Sequence, residues 1–166
     1  MLRFLESIAD FAGIERRWED IHSRHPDYDG YAVPGRRLIV LDVSIRGTRQ
    51  EKCVLAEEIG HCLYPPAADH TLYHSTKYWG LGQWERSTLR CQVAKDERAA
   101  LEWASSVLIP DWSFWEFARG GGREWWEWLE HFGVTDWMMR VKVGLVRARM
   151  RPQAKRMKWR ELVRRD

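Results

Sequence analysis

The sequence predicts a mixed α and β domain: one helix, a small three-stranded antiparallel sheet, then a succession of helices. Three observations predict it. Short β-prone runs gather between residues 14 and 42, Pro34-Gly35 punctuates two of them, and apolar residues before and after that stretch recur at helical spacing. At 166 residues, 45% hydrophobic and 31% charged, the chain is long enough for one real core and too short for two ordinary domains. Residues 1–110 are expected to form the core, 111–150 further helices of the same domain, and 151–166 a basic tail.

Leu2, Leu5, Ile8, Ala9 and Ala12 mark the first helix, with Gly13 placed to end it in a left-handed conformation. "IERRWED" reads as a short strand, "HSRHPDYDG" as turn, and "YAV", "PGR" and "RLIVLD" as strand, turn and strand. Thr48 opens the second helix through a capping box. Its hydroxyl accepts from the Glu51 N–H while the Glu51 carboxylate reaches back, and the helix runs to about Leu63, before Pro65-Pro66. Residues 65 to 84 show no sustained period and read as a long irregular segment. A third helix carries Ala100, Leu101, Ala104, Val107 and Leu108 as one stripe and ends at Ile109-Pro110. Asp111 is expected to cap a short helix that the glycines at 120 to 122 interrupt; two more follow, Arg123 to Phe132 and Asp136 to Met150.

Composition excludes several classes. No run of about 18 apolar residues exists and the N-terminus carries acids within its apolar pattern, so a soluble, cytoplasmic protein is expected. Cys53, Cys62 and Cys91 form no C-x-x-C pair, which argues against a disulfide framework or a zinc ribbon. Between Arg140 and Asp166 eleven Lys or Arg face two Asp or Glu, a local +9 in a chain of net +3, leaving −6 on residues 1–139. Such a tail suits nucleic acid or an acidic protein surface, or simply a solvated helix.

The stretch "VLAEEIGHCLYPP" carries the chemistry. Glu57 and His61 lie four apart, within about 40° on one helix face, so both can hold a single ion. Glu58 projects to the other flank of the histidine, where it addresses a ligand of that ion. Glu97 heads the apolar stripe of the third helix, and a lone carboxylate there costs several kcal/mol or neutralises unless a metal or an arginine meets it. The plain alternative makes Glu97 an N-terminal helix acid favoured by the dipole. Gly60 implies close packing against its turn, because glycine within a helix costs about 0.5–1 kcal/mol relative to alanine.

These residues resemble the ImmA/IrrE-type metallopeptidases of phages, mobile elements and their bacterial hosts. "CVLAEEIGH" is similar to the LAEELGH variant of phage members, "DERAALEWASSVLIP" to the family's second block, and "FGVTDWMMRVKVGL" to its late segment, together spanning most of residues 28 to 146. The resemblance implies an α+β fold, a small antiparallel sheet against a helix bundle, with the active-site helix beside the sheet. It assigns His61 to the second metal-binding histidine, Glu58 to the general base and Glu97 to the downstream acidic ligand. Glu57 stands where the family's first histidine stands, giving Glu-Glu-x-x-His for His-Glu-x-x-His. Zinc is the implied ion; two carboxylates and one imidazole make a harder site, so Mn2+ or Fe2+ are the alternatives.

The implied activity is peptide hydrolysis by a metal-activated water with Glu58 as base, on a helix-turn-helix repressor of the same element. His70, Tyr73, His74 and Tyr78 are weaker candidates for oxyanion support, the "RLIVLD" edge for adding a substrate strand, and Trp125, Trp126, Trp128 and Trp137 for recognising the partner. A relative that binds a repressor without hydrolysis is the alternative. No membrane partner is expected, and nucleic-acid contact through the basic tail is the weakest reading.

Overall fold

The computed structural model describes residues 1–65, 72–75, 88–121, 123–150 and 163–164, with the backbone alone for 72–75, 88–96 and 163–164. Helix α1 (Leu2–Phe11) buries Leu5 and Ala9 and ends as its sequence implies. Gly13 takes φ +66°, its N–H reaches the Asp10 carbonyl at 3.0 Å and that of Ile14 the Ala9 carbonyl at 2.8 Å, a Schellman closure.

Strands β1 (Glu15–Glu19), β2 (Tyr28–Val33), β3 (Leu38–Asp42) and β4 (Leu72–Ser75) form one sheet in the order β1-β3-β2-β4. The mixed α+β class is as expected, but the sheet is not purely antiparallel. β1 runs parallel to β3, whereas β2 is antiparallel to both β3 and β4. The β2–β3 hairpin closes through the turn Pro34–Arg36, and β1 then adds to the far side of β3 instead of pairing with β2, its neighbour in sequence. β4 lies inside the segment read as irregular, and the rest of that segment, 66–71 and 76–87, lies outside the described residues.

One carboxylate anchors the crossing from β1 to β2. Asp42 at the end of β3 is wholly buried and accepts from the backbone N–H groups of Ile21 at 2.7 Å, His22 at 2.8 Å and Ser44 at 2.8 Å. Burial alone raises its carboxyl, but the bonds from Ser44, His22 and Ile21 outweigh burial and hold it below the ordinary aspartate value. Beside it, His22 Nε2 meets Asp29 Oδ1 at 3.0 Å, Gln50 donates to Asp29 at 2.6 Å, and Trp137 donates to Gln50 at 2.8 Å. A polar chain thus ties sheet, second helix and last helix together.

Helix α2 (Arg49–Leu63) starts at Thr48, whose hydroxyl accepts from the Glu51 N–H at 3.3 Å. The reciprocal arm of the box lands one residue earlier than expected, the Glu51 carboxylate accepting from Gly47 N–H at 2.5 Å. Every residue from Cys53 to His61 is buried, because α2 is enclosed by the sheet, by α1 and by α3 (Thr88–Leu108).

The C-terminal helices α4 (Asp111–Arg119), α5 (Trp125–Phe132) and α6 (Asp136–Met150) close the core with Phe114, Trp128, Met138 and Met139. Between α4 and α5, Arg123–Glu124 (β5) pairs in parallel with Val163–Arg164 (β6), the one described part of the basic tail. Asp111 does not cap α4. Its side chain turns to α6, bonding the buried Lys142 and meeting Arg149 at 2.9 Å, which lowers the Asp111 carboxyl, while burial lowers Lys142. A cation buried on α6 attracts the carboxylate more strongly than helix N–H groups do. α5 instead opens with a box between Glu124 and Glu127 and stops at Gly133, φ +60°. Among the described residues, no helix is long and apolar enough to cross a membrane.

Asp42 makes the fold acid-sensitive. Its carboxyl is depressed on folding, so its contribution is fully present above the unfolded value of about 3.9 and is lost as pH falls through the lower folded value. Urea titrations between about pH 5 and pH 2 will show wild type losing stability over this range more steeply than Asp42→Asn, which at neutral pH is already weaker by about 2–3 kcal/mol because buried N–H donors lose acceptors.

Candidate metal centre

Glycines let α2 sit this deep. Against the sheet, a Cβ on Gly30 would meet the Val40 carbonyl oxygen and Val54 Cγ1 at 3.0 Å each. Against α3, a Cβ on Gly60 would lie 2.7 Å from the Ala100 carbonyl oxygen and 2.9 Å from its Cα. Backbone in the middle of a helix cannot step aside, so only glycine admits this approach. The close packing inferred from Gly60 is therefore a backbone contact with α3.

That contact sets what lies next to it. His61 follows Gly60, Glu57 stands one turn earlier, and Glu97 stands one turn before Ala100 on the facing helix. Ligand atoms of Glu57, His61 and Glu97 all fall within 4.8 Å of one another, and His61 Nε2 is 3.6 Å from Glu97 Oε2. Glu57 and His61 are buried, whereas the Glu97 side chain is 31% exposed. α3 begins at Thr88, so Glu97 lies well inside the helix and is no N-terminal acid. The three residues expected to converge do converge.

Glu58 completes the group from the other side of His61. It is 0% exposed, and among the described residues neither carboxylate oxygen has a hydrogen-bond partner. Burial, and then the nearby charges of Glu57 and Glu97, push its carboxyl well above the ordinary glutamate value. Burial and the Glu58 charge also push the Cys62 thiol up to about 12, with Arg37 pulling the other way.

A divalent cation fits this donor set. Two carboxylates and one imidazole within 4.8 Å of one another lie close to the separation, at most about 4.4 Å, of ligands that each stand about 2.0–2.2 Å from one ion. Three carboxylates around one imidazole repel one another when no cation is present. An ion would add opposite charge to that cluster.

The other candidates separate. The side chains of His70, Tyr73, His74 and Tyr78 lie outside the described residues, although the backbone of Tyr73 and His74 forms part of β4. The "RLIVLD" strand offers no edge. β3 is paired on both sides, by β1 and β2, so its backbone groups are already committed. Of the four tryptophans, Trp128 is buried in the core, Trp125 bonds Asp136 at 2.6 Å beneath Arg140, and Trp137 bonds Gln50. Trp126 alone of these is largely exposed, at 64%.

Sequence reasoning missed the residues that hold α2 in place: Asp29, Gln50 and Trp137, which join β2 to α2 and α6. Each is an ordinary polar or aromatic residue at an ordinary spacing. Only Gly30, a glycine in the middle of a strand, signalled a close approach there.

Gly60→Ala weighs two opposed effects. Alanine gains about 1 kcal/mol in helix propensity, but the clash with Ala100 backbone costs about 1–3 kcal/mol. Chemical denaturation is expected to show a net loss of up to about 2 kcal/mol, with the ligands of α2 and α3 drawn apart; a gain in stability would mean that the two backbones are not in contact.

The chain matches no protein-family model, and no curated protein is significantly similar to it.

Proposed function

We propose that this chain is a metal-dependent peptidase of the cytoplasm, related to the ImmA/IrrE type, that acts on a helix-turn-helix repressor of a phage or mobile element. One observation carries the reading: Glu57, His61 and Glu97 bring their ligand atoms within 4.8 Å beside a buried carboxylate, Glu58, whose oxygens have no hydrogen-bond partner among the described residues. A structural site has no use for that fourth group. A hydrolytic site does.

Glu57, His61 and Glu97 hold the ion, zinc by first preference and Mn2+ or Fe2+ as alternatives for so carboxylate-rich a set. The ion supplies Lewis acidity, making a water easier to deprotonate and a peptide carbonyl easier to attack. Glu58 takes the proton from the attacking water and returns it to the leaving amine. Its surroundings suit that exchange. A carboxyl raised by burial and by neighbouring negative charge is a stronger base than an exposed glutamate, and the charges that raise it fall as a cation enters. His61 is carried on the buried stretch of α2, with Nε2 3.6 Å from Glu97 Oε2.

Two measurements test the reading. Stripped of metal and then supplied with Zn2+ or Mn2+, the wild-type protein is expected to gain about 2.7 kcal/mol of stability at a hundredfold excess over Kd. Glu57→Gln and Glu97→Gln are expected to lose most of that gain, since each removes an anionic ligand. Co-expression with neighbouring repressors should yield cleavage products with wild type, and a loss of about 10²–10⁴-fold in rate with Glu58→Gln, metal content unchanged. Equal effects of wild type and Glu58→Gln on the repressor would replace hydrolysis by repressor binding. No metal uptake by either would remove both the ion and the peptidase.

A further inference from the structure

Helix α1 has two apolar faces and the core uses one. Leu5 and Ala9 are buried, but Met1, Phe4 and Phe11 are 55%, 56% and 97% exposed, with Ile8 partly buried between them. At about 100° per residue, positions 1, 4, 8 and 11 fall within about 80° of one another. Their 3-4-3 spacing is that of a coiled-coil seam. A benzyl group as exposed as that of Phe11 gains almost nothing from the described residues.

Along the border of the seam away from the core run Arg3, Ser7 and Asp10, within about 60° of each other. Arg3 makes no ion pair among the described residues. Asp10 engages Arg16 through Oδ1 at 2.9 Å, and its side chain remains 66% exposed.

We propose that this face is a dimer contact: α1 of one copy lies antiparallel on α1 of a second, Phe4 against Ile8 and Met1 against Phe11, about a twofold axis. The charges choose the occupant and the direction. In an antiparallel twofold pair the polar borders face each other, so Arg3 of each copy stands beside Asp10 of the other, twice over. A parallel pair would put the two polar borders on opposite edges of the seam, where neither Arg3 nor Asp10 meets a charge of the other copy. A helix face of eleven residues is about 16 Å long and buries on the order of 1,000 Å² or less in total, at the low end of specific interfaces. The dimer is therefore weak and dissociates on dilution. The proposal is independent of the metal centre.

Sedimentation of the full chain between about 1 and 200 µM tests it, a range that spans the dissociation constants expected of so small an interface. The mass is expected to rise from 19.8 kDa towards twice that value. Phe11→Glu, at a side chain that is 97% exposed and so harmless to the monomer's melting curve, is expected to stay monomeric throughout. Arg3→Asp should weaken association about tenfold, and Arg3→Asp combined with Asp10→Arg should recover it to within about threefold. A wild type that remains monomeric across the range overturns the proposal. So does a dimer indifferent to Phe11→Glu, or a double exchange no better than the single one.

Discussion

The site depends on one contact, the backbone of α2 at Gly60 against that of α3 at Ala100. Helices carrying side chains at their crossing stand about 8–10 Å apart, with the spacing set by what fills the gap. Here a glycine removes the filler. Glu97 is thereby brought within reach of His61 and Glu57, and a weakly specific string of residues on one helix becomes a three-point cluster. On the other flank, Gly30 admits Val54 to the sheet, so α2 is held from both sides with little room to rotate.

Deep burial of α2 gives its ionisable residues their character. Elsewhere buried charges meet partners of opposite kind: Asp42 has backbone donors, and Lys142 has Asp111. Around His61 the same interior gathers Glu57, Glu58 and Glu97, and the carboxyl of Glu58 is driven upward by burial and by those neighbours. Natural cores retain like charges gathered in this way where function requires them, because burying them together is among the more expensive features a fold can carry. The polar chain through Asp29, Gln50 and Trp137 lies off the cluster and acts on it indirectly, by fixing the N-terminal half of α2 against β2 and α6.

Much of this was legible residue by residue. Thr48, Gly13 and Pro65 bound their helices by backbone chemistry that acts over a few residues, and Glu57, Glu58 and His61 share a helix whose pitch fixes their relative directions. The failures follow a pattern. β1 alternates as any strand does, and nothing in its letters says that it will pair in parallel with β3 rather than with β2. "RLIVLD" fits an available edge by its turn-bounded length, yet its nearly unbroken apolar run is also what a strand with neighbours on both sides displays. Asp111 fits a helix start on local grounds and is drawn away by Lys142, thirty-one residues further on.

The sequence by itself therefore determined what depends on neighbours along the chain: helix limits, the mixed class, the face shared by Glu57 and His61, and the demand of Gly60 for close packing. Tertiary structure decided what depends on neighbours in space. It chose the strand order, committed Trp128 to the interior and packed Trp137 half-buried against it, turned Asp111 towards α6, and set Glu97 at 3.6 Å from His61. The physical reason is range. Backbone torsions and capping bonds are settled within about one helical turn, whereas pairing and burial compare every surface of the chain with every other.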